Sequence, residues 1–212
     1  MRTSELIRAL AADCGFRAIP PGRALALVMV PAAAAASGIL LAAFGLRPDL
    51  FSSLGEPRVM FKLGGMLLLV FLSGSMALRL VKPGASVRRH VLRLAIVPVL
   101  LAGAILVELI AVPPALWAQK LTGTDALVCL ASIPFLAALP LCAALLAMRQ
   151  GAPEHPRLAG AAAGLFAGAI GALLYATHCP NDSPLYVAVW YLLAIGIVVN
   201  AGAAAGGRLL RW

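Results

Sequence analysis

The sequence predicts an all-α polytopic membrane protein, a bundle of six transmembrane helices with the N-terminus and the C-terminus both in the cytoplasm. The first observation is composition, because 62% of the 212 residues are hydrophobic and only 12% are charged, against about 25% charged residues in soluble domains. The second is that the apolar residues fall into blocks of roughly 20, the helix length that crosses about 30 Å of hydrocarbon. The third is that basic residues cluster between these blocks, as they do where they set membrane orientation.

The six spans are predicted at residues 24–46, 60–81, 94–112, 126–148, 158–177 and 185–207. The first span contains Pro31, which a membrane helix tolerates because neighbouring helices satisfy the freed carbonyl. The loops between the spans are too short for a second folded domain. Two regions are therefore predicted, a cytosolic N-terminal segment over residues 1–23 and the transmembrane bundle over residues 24–212.

The basic residues predict the orientation of the bundle. With the N-terminus inside, only four of the 17 lysines and arginines lie on the outer side, and the other 13 lie on the inner side. The outer four are Arg47, Arg58, Lys62 and Lys120. This asymmetry favours a multi-pass protein of the bacterial inner membrane, and the even number of spans returns the C-terminus to the cytoplasm. The net charge of +9 thus indicates topology and contact with membrane lipid, and no direct binding of nucleic acid is predicted.

The N-terminal segment is predicted to form a short amphipathic helix. Its apolar residues, Leu6, Ile7, Leu10 and Cys14, fall on one face at helical spacing. Such a helix either docks in the groove of a soluble partner or lies on the membrane surface, and the spacing does not choose between the two.

Glycines recur at every third or fourth position in the fifth predicted span and four residues apart in the sixth. Small residues at this spacing let two membrane helices approach closely. We expect packing within the chain, with a homodimer seam as the alternative. The residues are Gly160, Gly164, Gly168 and Gly171, then Gly202 and Gly206.

Glu108 is the acidic residue that falls inside a predicted span, near its outer end. We expect a structural ion pair, with Lys62 as partner, or a position at the membrane interface. A proton pathway is the alternative, but few other polar residues fall inside the spans. After the fifth span, Tyr186, Trp190 and Tyr191 suit the membrane interface, and Asp182 can cap the sixth span.

Two of the four cysteines lie near the predicted periplasmic face, where the compartment is oxidising. These are Cys129 and Cys179, whereas Cys142 lies about 20 Å deeper along its helix and Cys14 is cytosolic. The pair could form a disulfide, bind a soft metal ion with His178 as a further ligand, or consist of two unrelated buried residues. A neighbouring His178 would also favour the reactive thiolate of Cys179. No resident cofactor is predicted, only transient binding of a heavy metal.

Three stretches of the sequence resemble one family. They are TSELIRALAAD followed by Pro20-Pro21, the segment VCLASIPFLAALPL, and the run from RLAGAAAGLFAG through THCPNDSPLY to RLLRW. These stretches are similar to the NrsF family of bacterial membrane anti-sigma factors, and the resemblance extends over nearly the whole chain.

The resemblance implies a six-span inner-membrane protein that holds an extracytoplasmic-function sigma factor inactive and responds to oxidants or heavy metals through two cysteines. The positions that match are Cys129, in VCLASIP, and Cys179, in the HCP loop. The part that binds the sigma factor corresponds to the N-terminal residues Leu6, Ile7, Leu10 and Asp13.

We therefore predict a non-enzymatic, membrane-bound anti-sigma factor. The alternatives are a small membrane thiol oxidoreductase, which would need a CxxC motif or a second cysteine pair, and a small transporter, which would need more polar groups inside the spans.

Overall fold

The computed structural model of the chain describes residues 3–5, 7–8, 21–81, 84, 86–151 and 153–211. Within these ranges every regular element is a helix, and six helices are long and apolar enough to cross a membrane. They are α1 (Pro21–Ala43), α2 (Pro57–Leu80), α3 (Arg88–Ala111), α4 (Ala126–Met148), α5 (Pro156–Ala176) and α6 (Pro184–Leu209). The predicted all-α fold with six candidate spans is confirmed, although α3 begins at Arg88, earlier than the predicted residue 94.

Four of the six helices, α1, α2, α5 and α6, begin with a proline at their first residue. Proline suits this position because its missing N–H would have no partner inside the helix and its φ angle is already helical. Further prolines lie inside α1 and α4, where packed neighbours make them tolerable. The helix α6 also passes through one π-helical turn, Val187–Tyr191, before continuing as Leu192–Leu209.

The connecting segments place alternate helix ends together. At one end, which we call the cysteine end, the carbonyl of Thr177 after α5 accepts the backbone N–H of Arg47 after α1 (3.2 Å). At the opposite end, called the basic end, a carboxylate oxygen of Glu154 accepts the backbone N–H of Gly84 (2.8 Å). Successive helices therefore run up and down between the two ends.

The helix α5 lies at the centre of the bundle and is the most buried of the six candidate spans, whereas α3 is the least buried. Glycines bring α5 and α6 into backbone contact. A Cβ atom at Gly164 would lie only 2.5 Å from the carbonyl oxygen of Val198, and one at Gly160 would overlap the carbonyl of Gly202. At Gly168 the nearest atom is a side-chain methyl of Ile195, at 3.3 Å. The glycine spacing therefore serves packing within the chain, as expected.

Candidate functional site

Two reduced cysteines lie in the core at the cysteine end. Cys129 is in the first turn of α4 and Cys179 follows the C-terminus of α5, and both side chains are fully buried. They belong to one cluster of buried residues and lie close enough to interact electrostatically. Helical hydrogen bonds hold both positions, because the backbone N–H of Cys129 donates to Asp125 and that of Cys179 donates to Tyr175. The fold thus brings together two thiols that are 50 residues apart in the sequence.

Three tyrosines surround these thiols. Tyr186 lies beside Cys129, whereas Tyr175 and Tyr191 lie beside Cys179. All three side chains are almost completely buried, and the hydroxyls of Tyr186 and Tyr191 have no hydrogen-bond partner of normal geometry among the residues that the structure describes. Buried polar groups are usually paired, so unpaired ones call for an explanation in function or in bound water. Here two O–H donors are available beside two thiols.

A buried lysine holds the loop between α5 and α6, residues 177–183, which carries Cys179 and which we call the cysteine loop. Lys62 projects from α2 and is only 2% exposed. Its ammonium group donates to the carbonyl oxygens of Cys179 (2.7 Å) and Asn181 (3.3 Å), and it forms an ion pair with Asp182. A cation removed from water is tolerable only with partners of this kind. The cysteine loop is therefore attached to α2 through one side chain.

Asp182 also binds a second cation, which extends the network to the segment between α1 and α2. The guanidinium group of Arg47 donates to Asp182 (2.7 Å) and to Asp49 (2.6 Å). The hydrogen bond to Asp49 raises the pKa of Arg47 above its usual range in spite of burial, and the same bond lowers the pKa of Asp49 well below its usual range. Arg47 and Asp49 are thus ionised at neutral pH, and the bonds of Lys62 and Arg47 to Asp182 fix the loop between α5 and α6 from two sides.

A further ion pair joins α2 to α3. Glu108 is 4% exposed and binds Arg58 (2.9 Å), while it accepts a hydrogen bond from the hydroxyl of Ser183 (3.3 Å). The expected structural ion pair is therefore present, but the expected partner, Lys62, is wrong. Lys62 points instead to the cysteine loop, and Arg58, one helical turn earlier on α2, takes its place.

A family model described as negative regulator of sigma F, NrsF, matches residues 10–212 of the chain. The chain belongs to the NrsF family. An anti-sigma-F factor NrsF from Caulobacter vibrioides is 39% identical over 217 residues, and a probable anti-sigma-F factor NrsF from Azospira oryzae is 36% identical over 214 residues. Each alignment covers the whole of both chains. No solved structure matches the chain significantly.

His178 is the third residue predicted for the sensor in this NrsF-family chain. Its ring contacts groups other than the two thiols. Its Nδ1 atom is 3.1 Å from the carbonyl oxygen of Gly45, and its ring packs against Phe44 and Tyr175. Its role as a metal ligand stays a prediction. Among the described residues no group of three or more histidine, cysteine or acidic side chains is arranged to hold a metal ion, so a metal held by Cys129 and Cys179 would take its remaining ligands from other groups.

The two other cysteines differ from the pair. Cys142 lies in α4 and is exposed, and Cys14 is outside the described residues.

The predicted partner-binding segment of this NrsF-family chain is described only in part. Ile7 is helical and 62% exposed, whereas Leu6, Leu10 and Asp13 lie outside the described residues. An apolar side chain exposed at this place is available to a partner or to the membrane surface.

Several site residues were missed or misjudged from the sequence. Asp182 was expected to cap α6, but it makes no capping bond and pairs with Lys62 and Arg47. Tyr186 and Tyr191 were expected at the membrane interface but are fully buried. The available signal was the lysine itself, because Lys62 lies inside a predicted span, where a cation requires a partner.

Proposed function

We propose that the chain is a membrane-bound anti-sigma factor that sequesters an extracytoplasmic-function sigma factor at a bacterial inner membrane. It releases the sigma factor when Cys129 and Cys179 respond to oxidants or heavy metals. The observation that carries the first part is membership of the NrsF family, with two full-length relatives named as anti-sigma-F factors. The observation that supports the second part is the buried, reduced cysteine pair.

The proposed orientation places the basic end in the cytoplasm. The positive-inside rule supports it, because 13 of the 17 lysines and arginines belong to that side. The cysteine pair then faces the periplasm and the N-terminal segment faces the sigma factor. A signal would cross the membrane through the bundle itself.

The proposed sigma-binding segment is residues 1–23, with Leu6, Ile7, Leu10 and Asp13 in contact with the partner. An amphipathic helix of this kind binds by inserting its apolar face into a groove, and the 62% exposure of Ile7 is compatible with this. A carboxylate at Asp13 would complement basic residues, which a DNA-binding protein carries.

Co-purification of the sigma factor with the full-length chain tests this segment. Ile7→Asp places a charge on the apolar face and is expected to abolish co-purification. Ala12→Asp adds the same charge on the opposite face of the predicted helix, as 100° per residue places it, and is expected to leave binding within about threefold. If Ile7→Asp bound as well as Ala12→Asp, the segment would not be the docking site.

The proposed trigger acts on the thiols in one of two ways. An oxidant can accept two electrons from the pair, so that an S–S bond forms and two protons leave. A soft metal ion can instead bind both sulfurs as thiolates with the same loss of protons. The unpaired hydroxyls of Tyr186 and Tyr191 would stabilise a thiolate by donating to it. Either change alters contacts at the junction of α4, α5 and the loop that Lys62 holds.

Substitution of single cysteines tests this trigger in cells that report sigma-dependent transcription. Cys129→Ser and Cys179→Ser are each expected to reduce the response to oxidant or cadmium at least fivefold, while basal repression is retained. Cys142→Ser is the matched control, since it is a cysteine of the same helix as Cys129, and its response should be unchanged. Equal effects of all three substitutions would contradict a special role of the pair.

The burial of both thiols also weighs against the thiol oxidoreductase alternative. Such an enzyme exchanges disulfides by direct attack of an accessible thiolate on another protein, whereas both side chains here are fully buried and a small oxidant or metal ion needs only a local opening of the loop.

A further inference from the structure

A cavity of about 440 Å³ opens at the basic end of the bundle, between the last turns of α2 and the first turns of α3. Its lining consists of three guanidinium groups, one hydroxyl and one imidazole. The residues are Arg79, Ser86, Arg89, His90 and Arg93. Because Arg89 and Arg93 are four residues apart, they lie on the same face of α3, and Arg79 approaches from α2.

The positive charge of this cavity is not neutralised by the part of the protein that the structure describes. None of its three arginines forms an ion pair with another described residue. The carboxylate of Glu154, which lies near this connection, binds the backbone N–H of Gly84 (2.8 Å). Three guanidinium groups without a described ion-pair partner therefore line the same space.

This convergence exceeds what membrane orientation requires. The positive-inside rule depends on the number of basic residues near a span and not on their meeting in a cavity. Guanidinium groups bind phosphate oxygens in a bidentate manner, so a phosphate group fits this lining.

The surroundings of the cavity favour a lipid over a soluble phosphate. Between the basic residues of α3 lie Val91, which is 49% exposed, and Leu92, which is 64% exposed, and Ile96 follows with 47%. These apolar side chains project at the level where the hydrocarbon region begins in the proposed orientation. A soluble phosphate would leave them uncovered, whereas the acyl chains of a phospholipid would cover them.

We propose that this cavity binds the phosphate group of an anionic phospholipid. The three arginines surround the phosphate oxygens, and the acyl chains lie against Leu92 and Ile96. The site ties α3, the least buried of the six helices, to α2 through a lipid. It does not depend on the sigma factor or on the cysteines.

Titration of the purified, delipidated full-length chain in detergent tests the site, with lipid binding followed by native mass spectrometry and by the shift in melting temperature. The probes are phosphatidylglycerol, phosphatidylcholine and inorganic phosphate. We expect phosphatidylglycerol to bind at least tenfold more tightly than phosphatidylcholine. In the double variant Arg89→Gln/Arg93→Gln, phosphatidylglycerol should bind about 30-fold more weakly, because each basic residue beside an anionic lipid contributes a factor of about five.

The control is the double variant Arg88→Gln/Arg149→Gln, which removes the same charge from exposed positions at the same end but outside the cavity. Its affinity should change less than threefold. A conservative variant, Arg89→Lys/Arg93→Lys, keeps the charge but loses the bidentate geometry of the guanidinium groups. It should bind phosphatidylglycerol with intermediate affinity. Equal losses in the cavity and control variants would overturn the proposal in favour of general charge attraction. Equal stabilisation by inorganic phosphate and phosphatidylglycerol would overturn the assignment to a lipid.

Discussion

Replacement of Lys62 by methionine should loosen the cysteine loop without unfolding the bundle. Methionine keeps an apolar stem of similar length but removes the donor to the carbonyls of Cys179 and Asn181. A hydrogen bond from a charged group contributes about 1.5–3 kcal/mol. Asp182 retains its bond to Arg47, so the loss stays below the roughly 3–5 kcal/mol of a fully broken buried pair.

The expected loss of about 2–3 kcal/mol corresponds to a 30- to 150-fold increase in opening of the loop, at about 1.4 kcal/mol per factor of ten. The rate at which a maleimide reagent alkylates Cys179 in native membranes measures this, in a background of Cys14→Ser and Cys142→Ser. A buried thiol reacts only when the loop opens, so its rate follows the opening equilibrium.

The matched control for this measurement is Lys120→Met, a lysine at the same end of the bundle that makes no ion pair with the residues described. Its Cys179 should react at the wild-type rate. If Lys62→Met and Lys120→Met reacted equally, Lys62 would not hold the loop, and the reasoning from its three contacts would be refuted.

Two other substitutions test the packing of the bundle by thermal unfolding in detergent. Gly164→Val should lower the free energy of unfolding by about 1–3 kcal/mol or more, as overpacking does, because its Cβ would meet the Val198 carbonyl. Gly196→Val should be nearly neutral, since nothing lies within 4 Å of a Cβ at that position. Similar losses at both positions would contradict the close contact between the helices. Glu108→Gln should lower the free energy of unfolding by only about 1 kcal/mol, because the side chain of Arg58 is 43% exposed and can be solvated by water instead. A loss above about 3 kcal/mol would mean that the ion pair is shielded from solvent.

The six helices could be predicted because the length and the apolar composition of each span can be seen directly in the sequence. The packing of α5 against α6 was also predictable, since closely packed membrane helices need small residues at a fixed spacing and Gly160 and Gly164 supply it. The early start of α3 at Arg88 was not predictable, because its first two turns are basic and their composition alone is typical of a loop.

The partners of buried charges could not be predicted from spacing. Arg58 and Lys62 are four residues apart and thus share one face of α2, so either could reach Glu108. The choice depends on where the loop after α5 lies, since its carbonyls and Asp182 bind Lys62. That position is set by contacts between residues more than 100 positions apart, which no local pattern records.

That Cys129 and Cys179 lie at the same end of the bundle could be predicted, but their surroundings could not. Tyr186 and Tyr191 suited an interface by type, yet the π-helical turn Val187–Tyr191 lies at the start of α6, and both side chains are in the core. Such turns often occur at functional sites, and here the turn accompanies the enclosure of the thiols.

The most direct test of the account is the fraction of sigma factor bound to right-side-out membrane vesicles before and after a membrane-impermeant thiol oxidant is added outside. The account predicts that the oxidant releases most of the sigma factor from vesicles with the native chain and little from those with Cys129→Ser or Cys179→Ser. Sigma factor that stays bound to the native chain after the pair is oxidised, or that leaves all three to the same extent, would contradict it.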